Sequence, residues 1–217
     1  MGIRILVLLA LGGLAAACAG RTVPDTLDPA VAERGIRETA PDRPLRAVFA
    51  WRVLDGQARF SGEGAARIEP PYRARLDLFG AHGETYLSAA LVGDELRLPG
   101  DPGVALPPPA MMWAVLGVVR PPQGAELLGT RVQGSELELH YGVGDGRIRY
   151  DVADGRLRLA DWWGDGRRMV AEVRGGELGL PTEAAFRDWS RNTELHLELE
   201  RVEEVEPYPP EIWTPGR

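Results

Sequence analysis

The stretch YRARLDLF, residues 72–79, sets Tyr72, Ala74, Leu76 and Leu78 against Arg73, Arg75 and Asp77 in strict alternation. The same alternation returns in ELELHY (136–141), RIRYDV (147–152), RLRL (156–159) and ELHLELE (194–200). A period of two is the geometry of an extended strand, whose successive side chains point to opposite faces. One apolar face and one wet face predict an antiparallel sheet rather than the doubly buried strands of a parallel one. With 27 glycines and 18 prolines in 217 residues, the chain suits many turns and no long helices.

Asp-Gly pairs stand at 55–56, 145–146, 154–155 and 165–166, and such pairs favour tight hairpins. With Asp154-Gly155 as a two-residue loop, Val152 is expected opposite Leu157, Tyr150 opposite Leu159 and Asp151 opposite Arg158. The same placement of Asp55-Gly56 sets Val53 opposite Ala58 and Trp51 opposite Phe60. GVGDGR (142–147) lies between two alternating segments, so it reads as a hairpin turn and not as a phosphate loop.

Two segments break the rhythm. Asp28-Pro29 reads as an N-cap followed by proline at the first helical position, opening a short helix to about Glu38. PPPAMMWAVLGVVRPP (107–122) carries no charge from Ala110 to Val119 and predicts a helix over 108–120, about 20 Å long. It has no polar face, so something apolar must cover it.

At the N-terminus Arg4 precedes an apolar run, Ile5 to Ala17, too short for a comfortable membrane span of about 20 residues. It reads as a cleaved secretory signal. Small residues lead into Cys18, the one cysteine of the chain, and LAAAC resembles the lipobox of bacterial lipoproteins. That resemblance implies cleavage before Cys18, acylation of its thiol and membrane anchoring, and Ala19 after it points to the outer membrane. The expected organisation is a signal peptide at 1–17, a lipidated tether at 18–27, one domain at 28–205 and a proline-rich extended tail at 206–217. Loss of Arg4 with the signal takes the net charge from −7 to −8.

All 25 basic residues are arginine, and the acidic balance without a basic block argues against nucleic-acid binding. One cysteine allows no internal disulfide. The three histidines, His82, His140 and His196, lie far apart, and His140 and His196 fall on charged strand faces, where solvated surface is the expectation. No metal site, cofactor or catalytic constellation is expected, and the chain does not read as an enzyme. The apolar side chains are the candidates for function: Phe49, Trp51, Phe60, Leu76 and Leu78 on the sheet, with Met111, Met112, Trp113 and Leu116 on the apolar helix. They form either a plain core or a cavity for acyl chains.

The order of these features (lipobox, short helix, the strands AVFAWRVLDGQARFSGEGAARIEP and RLDLFGAHGETYLSAAL, apolar helical insertion, further hairpins) resembles the outer-membrane lipoprotein carrier and receptor superfamily (LolA/LolB-like). That resemblance implies a mainly β fold, an unclosed, strongly curved antiparallel barrel with short helices as a lid over its concave face. It implies a lipid or an acylated lipoprotein as ligand, in lipoprotein localisation or envelope lipid transport on the periplasmic side of the outer membrane. It also implies a membrane-facing loop, which LFGAHGETY would place at Phe79 and His82. The alternative is a structural or assembly lipoprotein with a filled core and an envelope protein partner, showing an exposed apolar patch at Trp162-Trp163 or around Trp213.

Overall fold

The computed structural model describes residues 23–100 and 106–216. The expected signal peptide, Cys18 and the first part of the expected tether lie outside the described residues.

The alternating segments form β1 (Leu45–Asp55), β2 (Ala58–Glu69), β3 (Arg73–Gly80), β4 (Thr85–Val92), β5 (Glu95–Arg97), β6 (Glu126–Gln133), β7 (Glu136–Val143), β8 (Gly146–Ala153), β9 (Arg156–Gly164), β10 (Arg167–Arg174), β11 (Glu183–Asp188) and β12 (Thr193–Glu204). They make one sheet of 12 strands in the order β5-β4-β3-β2-β1-β12-β11-β10-β9-β8-β7-β6. Every pairing is antiparallel. β5 and β6 remain as edges, so the curved sheet is an unclosed barrel, as expected. Two meanders, β1–β5 and β6–β12, are joined through the non-local pair β1–β12.

Four register shifts, at Val48/Phe49, Leu78/Phe79, Leu127/Gly129 and Asp151/Val152, bend the sheet. A bulge adds local right-handed twist, which lets a wide sheet curl. Gly64 in β2 serves the same end: a β-carbon there would collide with the Phe49 ring, which lies flat across the neighbouring strand.

Two hairpins test the expected registers. Val152 does face Leu157 across Asp154-Gly155, and both loop residues take positive φ, 52° and 69°, as a type I′ turn requires. Beyond that point the bulge intervenes, so Tyr150 faces Ala160 rather than Leu159, and Asp151 faces Leu159 rather than Arg158. In the first hairpin the loop is Gly56-Gln57, Val53 faces Phe60 and Trp51 faces Gly62. Gly56 can open one two-residue turn or close another, and both placements keep the same side chains on the inner face, so alternation does not choose between them.

Helix α1 (Pro29–Thr39) starts where Asp28 Oδ1 accepts the backbone N–H of Ala30 at 2.9 Å. At its far end the Thr39 hydroxyl donates to Gly35 O at 2.9 Å and accepts from Val119 N at 2.9 Å. Helix α2 (Pro109–Val115) is shorter than the 108–120 expected. The chain turns at Leu116 and Gly117, whose φ of 82° suits glycine, and Val118 N bonds Trp113 O. Seven residues make a helix of only about 10 Å.

The interior falls into two clusters. One gathers the inner faces of β7–β11 with Ala32 of α1 and Met111, Ala114 and Val115 of α2. The other gathers the inner faces of β1–β4 with Met112, Trp113 and Leu116. α2 therefore stands as a wedge between them, which answers its lack of a polar face.

The C-terminal tail departs from expectation. After an extended approach it makes a 3-10 turn at Pro210–Trp213 and docks on β3 and β5. Arg75 donates to Ile212 O at 3.0 Å and Arg97 to Trp213 O at 3.2 Å, while Tyr208 OH donates to Leu45 O at 3.0 Å. Trp213 is 3% exposed, edge-on to Tyr208, so it is part of the packed body rather than an exposed patch.

His140 also departs from expectation, being 3% exposed on the wet face. Its ring lies 2.7 Å from Glu138, which Arg131 bridges in turn at 2.8 Å. Long charged neighbours cover the short ring between them. Burial holds the imidazole below its ordinary value, although Glu138 opposes the shift. His196, by contrast, is exposed.

Candidate functional site

Between α2 and the second cluster the packing leaves a cavity of about 100 Å³. Its walls come from five strands: Phe49, Val53 and Asp55 of β1, Leu76 and Leu78 of β3, Tyr86 and Leu87 beside the register shift in β4, Phe186 of β11, and Thr193, Leu195 and Leu197 of β12. Leu106, Pro107, Met112, Val115 and Leu116 roof it. A water needs roughly 10–15 Å³ of such space, so there is room for about seven to ten water-sized groups. Because the lining is almost wholly hydrocarbon, apolar groups suit it better than water does.

The polar lining gathers at one end, where the exposed Asp55 accepts the Thr193 hydroxyl at 3.0 Å. Tyr86 stands at the same mouth, its ring 4.9 Å from Trp51 and 5.2 Å from Phe60. Burial, followed by the charge of Asp55, raises its phenol above the ordinary value. The opposite end is closed by α2 and the residues after it, where Trp113 donates to Gly93 O at 2.8 Å.

Of the residues singled out in the sequence, Phe49, Leu76, Leu78, Met112 and Leu116 line the cavity. The other four stand elsewhere. Trp51 is core, donating its indole N–H to Glu63 O at 3.0 Å and Phe79 O at 3.1 Å. Met111 points into the first cluster, and Trp113 is buried edge-on to Tyr72. Phe60 sits at the rim, 40% exposed. Phe79 ends β3 partly exposed, and His82 is exposed in the β3–β4 loop, its backbone N–H bonded to Glu84. Leu195 and Leu197 were visible as alternating residues, but nothing local says that β12 lies beside β1. Tyr86, Phe186 and the mouth pair Asp55 and Thr193 carried no signal of their own.

Trp162 and Trp163 form no open patch. Trp162 turns toward the first cluster, and Trp163 lies on the outer face between Arg147 and Arg168, each 5.1 Å from its ring.

Three roomier depressions, about 390, 340 and 450 Å³, have far more polar linings, the third lying beside Arg52, Arg59, Phe60 and Glu194. The first is a charged trough on the outer face floored by Ala50 and Ala185, and the second lies near Glu38, Asp42 and Arg156. The buried carboxylates have structural partners. Asp77 is bound by Arg67 at 2.6 Å, by Arg75 and by Ser88, and Asp161 by Arg168. Although burial pushes Asp77 upward, these partners together hold it below the usual carboxylate range. Among the described residues no group of three or more His, Cys, Asp or Glu is placed to hold a metal ion. No helix among them is long and apolar enough to cross a membrane.

No family model and no curated protein matches the sequence. Solved structures do share the fold. A LolA superfamily protein from Nitrosomonas europaea superposes with a TM-score of 0.55 at 14% identity, over 86% of this chain and 96% of that one. A DUF1329 family protein from Desulfovibrio piger gives 0.53 at 9% identity, over 86% and 97%. The open antiparallel sheet with its short helices is thus a LolA-like fold.

Proposed function

We propose that this chain is a non-catalytic, membrane-anchored envelope lipoprotein that takes acyl chains into the cavity beneath α2. The observation that carries the reading is the cavity: apolar along its length, roofed by adaptable Met112 and Leu116, and polar only at its mouth. Burying a methylene yields about 0.8 kcal/mol, so seven to ten such groups supply roughly 6–8 kcal/mol before the cost of association. The likeness to a LolA superfamily protein supports lipid or acylated lipoprotein as ligand, in lipoprotein localisation or envelope lipid transport. Cys18 would carry the acyl anchor, with the domain on the periplasmic side of the outer membrane.

Native mass spectrometry of the domain purified from membranes tests the ligand. Recovered lipid, or saturable binding of a fluorescent acyl probe, is the expected result, and a domain that holds neither overturns the reading. Intact mass of the full-length protein tests Cys18 separately.

One observation favours a second reading, an assembly lipoprotein with a protein partner. α2 already fills most of the concave face, leaving about 100 Å³. That reading expects a stoichiometric partner in pull-downs from envelope extracts and no acyl-probe binding.

A further inference from the structure

The mouth of the cavity is not neutral. Among the described residues Asp55 is the one charged residue in its lining, and none of the lining residues is an arginine, although arginine is common throughout the chain. Arg167 lies on the inner-face row of β10 with Met169 and Ala171, and it is tied to Asp188 and Ser190. Arg59 pairs with Leu54 in β1 and so belongs to the outer face. Among the described residues Asp55 makes no salt bridge, and its bonded side-chain partner is the Thr193 hydroxyl. Tyr86 joins them in the lining of a cavity whose interior is hydrocarbon.

We infer that the cavity selects amphiphiles whose polar end donates hydrogen bonds (an amine, amide or alcohol) and disfavours those ending in a carboxylate or phosphate. The inference rests on the acyl-binding reading and specifies its ligand. An apolar tail buried to the mouth brings its first polar atoms to Asp55 and Thr193. A donor there meets a carboxylate with free acceptor capacity, whereas an anion meets a like charge that no cation among the described residues pairs. The entrance is exposed, so the effect is modest and falls with salt.

The test uses three probes with the same twelve-carbon tail: dodecylamine, dodecanol and dodecanoate. Each is titrated at neutral pH and low salt against the purified domain holding a fluorescent apolar reporter. Dodecylamine and dodecanol are expected to bind roughly three- to tenfold more tightly than dodecanoate. Asp55→Asn, which keeps the shape and the Thr193 bond, should bring the amine and carboxylate together, and Asp55→Arg should reverse their order. Equal affinities in the parent protein, or an order unchanged by Asp55→Arg, overturns the head-group inference while leaving acyl binding intact. Failure of every probe to displace the reporter overturns acyl binding and the inference with it.

Discussion

The two halves of the interior are built from the same alternating strands, yet one is filled and the other hollow. Over β7–β9, α1 lies so close that a β-carbon at Gly35 would press on Leu139 Cδ1 at 2.8 Å. Tyr150, fully buried there, finds a partner for its hydroxyl in Arg120 O at 2.9 Å. Over β1, β3 and β12 no second helix descends, and the wedge α2 with Leu106 and Pro107 forms the only roof of the cavity among the described residues. The strands do not differ in kind. What differs is the number of elements brought to the concave face, and the cavity lies where fewer of them descend.

Removing side chains breaks this comparison most directly. Leu139→Ala, beneath α1, is expected to cost about 3–5 kcal/mol, because close-packed surroundings cannot collapse into the gap. Leu76→Ala, on the cavity wall, should cost about 1–2 kcal/mol, since part of its surface has no neighbour to lose. Urea melts of both variants measure the gap, and equal losses would mean that the hollow half is packed as tightly as the filled one.

Additions give a smaller effect of opposite sense. Gly35→Leu should lose about 1–3 kcal/mol by forcing α1 off the sheet. Val53→Phe, pointing into the cavity, should stay within about 1 kcal/mol of the parent while weakening acyl-probe binding at least tenfold. Probe binding unchanged by Val53→Phe would place the ligand elsewhere.

The smallest effect separates the halves by pH. His140 backs the filled half from outside and is held below its ordinary value of 6.5. A base depressed in the folded state takes up its proton more readily when unfolded. The stability it contributes is present above about pH 6.5 and is lost as pH falls through that value toward the folded one. His140→Gln should flatten this part of the stability profile while leaving probe affinity unchanged, and a slope that persists in the variant would assign it to other groups.

The sheet was legible because alternation is a local signal. Tyr72 to Leu78 and Leu137 to Tyr141 declared their faces without any neighbour, and Asp154-Gly155 fixed one register. The bulge beside Arg158 was not legible, since nothing in RLRL marks an extra residue. The early end of α2 was hidden by the apolar run around Gly117, and Trp213 by its proline-rich setting. For the site, Phe49, Leu76 and Met112 could be nominated from size and pattern. The mouth pair Asp55 and Thr193 could not, because 138 residues separate them and only the β1–β12 pairing unites them.

That pairing also sets a rule for biogenesis. β12 is the last strand to be synthesised, yet it occupies the middle of the sheet and flanks both β1 and β11. A chain emerging from its N-terminus can close its hairpins early, but the two meanders share no sheet until about residue 204 has appeared. Until then β1 and β11 each expose an unpaired edge. A premature stop before Thr193 would leave two separate ribbons rather than a trimmed barrel, and the emergence of β12 itself becomes the signal to close.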